Sequence, residues 1–310
     1  MRNAVVTGAD GFIGRHLTER LLASGVEVWA VVYPGSPAKD MYVGREHVHT
    51  VCSDFSELAW HIREFPERVD AFYHFAWQGV NAESRQDFAV QMENISLTLK
   101  CIRFARALRA EKFILPGSTS EYLEYGRPID EKALPTPQNA YGSVKVALRY
   151  LASAYAEQLG IGLIYAVITG IYAADRKDNN VIFYTIDKLL KREKPSLTGL
   201  EQKWDYVYID DAIEALYLIG EKGKTGKFYA IGHGDNQPLS KYIEEIHRSI
   251  APDIPLGLGE VAYKNDRLPS SCISLTALRE DTGFAPRVDF HEGIQRVIAA
   301  MKQEGEYEKG

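Results

Sequence analysis

Tyr141 and Lys145 stand four residues apart in Tyr141-Gly142-Ser143-Val144-Lys145. On a helix that spacing puts phenol and ammonium on one face. The chemistry has a use for such a pair. A phenol with an ordinary pKa of about 10 is a poor base at neutral pH, and a nearby ammonium lowers that pKa by favouring phenolate. Upstream, Ser118 and Thr119 close the apolar stretch Lys112–Ser118 and offer a hydroxyl that could orient a substrate oxygen. Glu121 follows as a candidate proton carrier; the reading preferred from sequence is a loop carboxylate in a salt bridge. By itself Tyr-x-x-x-Lys is common on helix surfaces.

A second group lies near the N-terminus. Thr7-Gly8-Ala9-Asp10-Gly11-Phe12-Ile13-Gly14 places three glycines between an apolar run at Asn3–Val6 and a segment, Phe12–Leu22, with apolar residues at helical spacing. Glycines let backbone approach an anion, and the first N–H groups of a helix point at it, so this turn suits a pyrophosphate. The spacing is G-x-x-G-x-x-G, whereas the usual dinucleotide motif is G-x-G-x-x-G.

These residues need a scaffold, and the chain alternates accordingly. Strands are predicted at Asn3–Val6, Val26–Tyr33, His47–Asp54, Asp70–Trp77, Lys112–Ser118, Gly162–Tyr172 and Lys227–Gly232, with long helices at Phe88–Arg109 and Ala140–Gly160. Further helices are expected at Asp210–Glu221, around Ser240–Ile250 and at Phe290–Met301. Alternation of this kind predicts an α/β fold with a doubly wound parallel sheet, whose ligands bind beyond the carboxyl ends of the strands. Asp54 ends the third strand, where a carboxylate could accept from an adenine amino group. His47 and His49 alternate on that strand with no third metal ligand near. His74 reads as a packed strand residue, and Asn94 as a tie between the fourth and fifth strands.

Where an acid would meet an adenosine ribose at the end of the second strand, the chain has Tyr33, Pro34 and Gly35. Arg15, Lys39 and Arg45 could instead reach a 2′-phosphate. The reading is NAD or NADP, tilted to NADP.

The 310 residues carry 45% apolar and 25% charged side chains and a formal charge of −6. That balance is globular and argues against nucleic acid or an anionic membrane as main partner. The first strand begins almost at Met1, so no signal peptide is expected, and no apolar run reaches membrane-spanning length. Cys52, Cys101 and Cys272 fit no metal spacing; Cys52 and Cys101 read as small core residues, and a cytoplasmic setting is expected.

Taken in order, TGADGFIG, a strand ending at Asp54, HFAW, GSTSEY and YGSVK resemble the extended short-chain dehydrogenase/reductases, in particular the nucleotide-sugar epimerase/dehydratase branch. The resemblance runs over essentially the whole chain and includes Trp204–Ala212 and Thr282–Pro286. It implies a Rossmann-type fold with a smaller C-terminal α/β substrate domain. The cofactor domain would be 1–165, with 205–232 returning to it, and the substrate domain 166–204 and 233–304. It further implies that Gly8, Gly11, Phe12, Ile13, Gly14, Asp54, Phe75 and Ala76 bind the dinucleotide, with Tyr141 and Lys145. Tyr141 would be the acid/base and Ser118, or Thr119, would hold the reacting oxygen. A homodimer joined through the two long helices is implied as well.

The departures are informative. Members that carry out 4,6-dehydration have an Asp-Glu pair after the Ser/Thr, where this chain has Thr119 and Ser120. Val167, Gly170 and Trp204 replace residues that often meet the substrate, Trp204 standing in place of an arginine on the diphosphate. Asn180, Trp204 and Arg267 are the candidates for substrate contact, and Arg176, Lys177, Lys203 and Lys264 are other cations within reach. The expected activity is hydride transfer at C4 of a nucleotide-linked sugar, as an epimerase. The alternatives are a 4-ketoreductase or dehydratase, and a non-catalytic dinucleotide sensor.

Overall fold

A computed structural model of the chain describes residues 1–55, 57–123, 127–176, 180–263 and 270–307. The first half alternates as β1 (Asn3–Thr7), α1 (Phe12–Leu22), β2 (Glu27–Val32), β3 (Val48–Cys52), β4 (Ala71–His74), α2 (Phe88–Ala107), β5 (Lys112–Ser118), α3 (Ala140–Leu159) and β6 (Gly162–Ile168). Then come β7 (Gly170–Tyr172), α4 (Val181–Leu190), β8 (Lys203–Trp204), β9 (Tyr206–Tyr208), α5 (Ile209–Lys222) and β10 (Phe228–Ile231). The chain finishes with β11 (Gln237–Pro238), α6 (Leu239–Ile250), α7 (Thr276–Thr282) and α8 (Phe290–Tyr307).

Seven strands form one parallel sheet in the order β10-β6-β5-β4-β1-β2-β3. Every residue of β4 and β10 is buried, as is every residue of β1 after Asn3. Strands buried on both faces require helices on both faces. Here α1 packs with α5, and α2 packs with α3. Strand order reverses between β1 and β4, so the chain leaves the two strands in opposite lateral directions and opens a crevice at their carboxyl ends.

Local chemistry sets the helix ends. Asp87 caps α2 by accepting from Ala89 and Val90 N–H, and Asn139 caps α3 by accepting from Gly142 N–H at 2.7 Å. Helix α3 stops at Gly160, whose φ of 66° is left-handed.

The later elements pack on one another. Helices α4, α6 and α8 meet around Tyr172, Tyr206, Tyr242 and Phe290, with the rings of Tyr242 and Phe290 4.6 Å apart. The acids that follow Trp204 act as braces. Buried Asp205 accepts from His233 N–H at 2.9 Å and Gly234 N–H at 2.6 Å, and buried Asp211 accepts from the N–H groups of Arg287 and Val288.

Three expectations change. Gly162–Tyr172 is two strands: β6 pairs in the main sheet, while β7 pairs with β9, and Thr169 between them donates its hydroxyl to Asp205 O at 2.7 Å. Cys52 is exposed, because it ends the edge strand β3, which has a partner on one side only. Asn94 does not join two strands; it accepts from Gln78 N–H at 2.8 Å and donates to Gln78 O at 3.1 Å, fastening the loop after β4 to α2. His47 and His49 both face Glu27, and among the described residues no cluster of three or more His, Cys, Asp or Glu could hold a metal. Among the described residues, too, no helix is long and apolar enough to cross a membrane.

Candidate active site

The glycine turn lies at the crevice between β1 and β4. Gly8 has φ +66°, and a Cβ there would sit 2.8 Å from Ala76 N, so β1 and β4 approach at this point as only glycine allows. A Cβ on Gly14 would fall 2.0 Å from Gly8 O. Gly11 stands at the N-cap of α1 with no side chain closing the helix end, and the first intrahelical bond is Arg15 N–H to Gly11 O. The amides of Phe12, Ile13 and Gly14 therefore face the mouth of the turn. Tyr42 holds the turn from outside by donating to Ala9 O at 2.8 Å. A backbone cradle with no side chain in the way and three amides directed into it fits a pyrophosphate.

Around this cradle, Phe75 N–H donates to Thr7 O at 3.1 Å, which sets Phe75 and Ala76 beside Gly8. Asp54 follows β3 at the same end of the sheet, where its carbonyl accepts from Glu57 N–H. Tyr33 is exposed at the end of β2. Of the cations weighed for a 2′-phosphate, Arg15 pairs with Asp175 at 2.8 Å, Arg45 pairs with Glu19, and Lys39 is exposed. His74 is buried between Thr7 at 2.8 Å and Thr98 at 3.0 Å, and burial, assisted by Lys145, lowers its pKa to about 3.

Next along the crevice come the side chains that could do chemistry. Ser118 ends β5 and caps the 3₁₀ turn Thr119–Glu121, while Tyr141 and Lys145 lie on the first turns of α3. The two elements touch because residue 142 is glycine: a Cβ there would lie 2.3 Å from Ser120 O. The Ser118 side chain lies near enough to the Tyr141 phenol to favour phenolate. Lys145 is buried, donates to Pro116 O at 2.9 Å, and has its ammonium 3.4 Å from the centre of the Trp77 ring. Thr119 is buried in the 3₁₀ turn.

The electrostatics depart from the sequence reading. Burial raises the Tyr141 phenol, and the charge that most opposes this is Arg85, with the nearby Ser118 side chain next, while Glu121 adds to the rise. The Lys145 ammonium is turned to Pro116 and Trp77 and lies 5.7 Å from the Tyr141 ring centre. Its own pKa is lowered by burial.

Glu121 is no surface salt-bridge residue. It is fully buried and accepts from Ser118 N–H at 2.7 Å and Tyr165 hydroxyl at 2.9 Å, while its second oxygen is buried without a hydrogen-bond partner. Burial raises its pKa, and Lys145 and Arg149 pull the other way. It lies behind Ser118 as part of the wall.

Three residues were not foreseen. Trp77 packs edge-on to Tyr141 with ring centres 5.7 Å apart, and its indole N–H donates to Gln91 at 2.9 Å. Buried Gln91 also donates to Gly79 O and Ser84 O, which fixes the loop between β4 and α2. That loop carries Arg85, whose guanidinium lies 4.8 Å from the centre of the Tyr141 ring. The only sequence signal was a tryptophan following Ala76 at a strand's end. Of the proposed substrate contacts, Asn180 caps α4 by accepting from Ile182 and Phe183 N–H, and Trp204 is partly buried on β8 beside Tyr206. Arg176 lies over Phe12, with its guanidinium 4.2 Å from the ring centre. Arg267, Lys264 and Lys177 lie outside the described residues.

The glycine cradle thus opens toward a Ser–Tyr–Lys set at one end of a parallel sheet. The model of the NAD dependent epimerase/dehydratase family matches residues 4–232. The chain belongs to that family. A dTDP-D-glucose 4,6-dehydratase of Mus musculus is 23% identical, over 96% of this chain and 88% of its own length. Among solved structures, the UDP-glucose 4-epimerase of Thermotoga maritima, determined with UDP-glucose, gives a TM-score of 0.83 at 23% identity, covering 97% of this chain and 99% of the other. The UDP-glucuronic acid 4-epimerase of Bacillus cereus, in complex with UDP-glucuronic acid and NAD, gives 0.80 at 19% identity, covering 97% and 99%. This epimerase/dehydratase chain therefore has the fold of those enzymes from end to end.

Proposed function

We propose that this chain is an NAD(P)-dependent enzyme that transfers hydride at C4 of a nucleotide-linked sugar, working as an epimerase. The observation that carries this is the joining of Ser118, Tyr141 and Lys145 beside the glycine cradle, in one crevice. Gly8, Gly11, Phe12, Ile13, Gly14, Asp54, Phe75 and Ala76 would hold the dinucleotide, and Lys145 its nicotinamide ribose. The bound nicotinamide supplies a reversible acceptor for the C4 hydrogen. Tyr141, as phenolate, takes the proton of the C4 hydroxyl and later returns it; Ser118 holds the same oxygen and keeps it aligned. Residues 166–204 and 233–304 would carry most contacts to the nucleotide.

Two finer readings belong here. Dehydration needs a further acid/base facing the sugar, and Glu121 is committed to Ser118 and Tyr165 behind the site, which favours epimerase or reductase over dehydratase. For the cofactor, the pairing of Arg15 with Asp175 and of Arg45 with Glu19 leaves little for a 2′-phosphate, which favours NAD over the NADP suggested by Tyr33. A homodimer through α2 and α3 is supported by exposed Phe88, Met92, Tyr150 and Leu151 on those helices.

The test is turnover of UDP- and dTDP-hexoses by the purified chain, with product sugars separated and cofactor absorbance followed. Conversion between C4 epimers with no net change in reduced cofactor is expected. Tyr141→Phe should lower kcat by about 10²-fold or more. Full activity in that variant would refute the assignment, and stoichiometric oxidation of NAD(P)H by a keto sugar would make the enzyme a reductase.

A further inference from the structure

Arg85 stacks on Tyr141, yet its donors find no acceptor among the described residues. It belongs to a short 3₁₀ turn, Ser84–Gln86, in the loop that Gln91 and Asn94 pin to α2. The side chain is half-buried, and its Nε is shut off from solvent with no hydrogen-bond partner. Among the described residues, no carboxylate, hydroxyl or carbonyl accepts from the guanidinium; its contact is with the face of Tyr141. A guanidinium has five donors in a fixed fork that matches a carboxylate, and burying one without an acceptor costs stability. The loop geometry that imposes this cost is itself well built, with five hydrogen bonds between Gln91 or Asn94 and residues Trp77, Gln78, Gly79 and Ser84.

Position narrows the ligand. Resting on the proposed function above, the C4 oxygen meets the Tyr141 hydroxyl. In a hexopyranose the diphosphate leaves from C1, across the ring, whereas C6 is carried by C5, the neighbour of C4. A cation against Tyr141 is therefore placed for the C6 substituent and not for the diphosphate. The nearby titratable groups leave the charge unmet: Lys145 is a second cation, and Glu121 faces Ser118 and Tyr165. We infer that Arg85 binds a C6 carboxylate, which makes nucleotide-linked hexuronates the preferred substrate class of this site.

Binding is measured by calorimetry on the NAD-loaded Tyr141→Phe protein, which holds the sugar without turning it over, using UDP-glucuronate and UDP-glucose as the probes. The acid sugar should bind at least about tenfold more tightly, as one charge-assisted bidentate contact gives. Arg85→Gln should collapse that ratio toward one, and Arg85→Lys should restore part of it. Equal affinity for the two sugars, survival of the ratio in Arg85→Gln, or equal weakening of both would overturn the inference. Because the readout is binding, it separates from the turnover assay. A wild-type chain that binds the acid sugar through Arg85 but never moves hydride sinks the catalytic reading alone, and one that epimerises both sugars alike sinks this one.

Discussion

At residue scale, the fate of Glu121 depends on burial that no local pattern reveals. Sequence offered two roles, a proton carrier and an exposed ion-pair partner, and the structure gives it a third as acceptor for Ser118 N–H and Tyr165 hydroxyl. The variants should divide accordingly. Glu121→Gln keeps an acceptor, so it should cost about 1 kcal/mol in chemical denaturation and leave turnover within about tenfold. Glu121→Ala strands two buried donors and should cost about 2–4 kcal/mol. A loss of about 10³-fold in kcat for the glutamine variant, with stability intact, would return Glu121 to proton transfer. That Ser118, Tyr141 and Lys145 come together was legible, because a strand end and an i, i+4 spacing on a helix report position directly. Arg85 and Trp77 were not, since their place depends on a loop folded back by Gln91, and a loop has no period to read.

At the scale of elements, the glycine turn, α1 and the strand ends were readable because glycine and apolar runs report directly on backbone geometry. The G-x-x-G-x-x-G spacing alone left the turn ambiguous, and the approach of Gly8 to Ala76 explains why the residues are small. Gly14→Ala puts a methyl 2.0 Å from Gly8 O and must push the turn open. NAD affinity, followed by quenching of protein fluorescence, should fall by at least about 100-fold, with about 1–3 kcal/mol lost from stability. Gly25→Ala is the comparison: φ is +73° with nothing within 4 Å, so it should cost about 1–2 kcal/mol of backbone strain and leave NAD binding alone. The split of Gly162–Tyr172 into β6 and β7 was hidden for a different reason. Both halves are apolar and extended, and only the distant Asp205 and β9 decide where one ends.

The molecule as a whole has a pH dependence built into its first crossover. His74 titrates at about 3 when folded, against about 6.5 in an unfolded chain, because burial between Thr7 and Thr98 excludes the charged form. Between those values the unfolded chain holds the extra proton, so stability falls as pH drops through that window and is fully present above about 6.5. From this residue alone, folding should be roughly 2 kcal/mol weaker at about pH 5 than at about pH 7.5. Urea midpoints across that range should show the slope, and His74→Gln should flatten it; an unchanged slope would place the acid sensitivity elsewhere. The parallel sheet itself was legible, since alternating strand and helix patterns admit few other folds.

Strand β10, residues Phe228–Ile231, is the outer partner of β6, yet fifty-nine residues lie between the end of β6 at Ile168 and Phe228. A nascent chain that has finished the whole Ser118, Tyr141 and Lys145 set therefore still presents the bare hydrogen-bonding edge of β6, a run of seven residues, six of them buried in the finished protein. Open edges of that kind recruit other chains. A fragment ending just after Ile168 has every motif of the cofactor site and should still aggregate, because the last strand of its sheet has not yet been made.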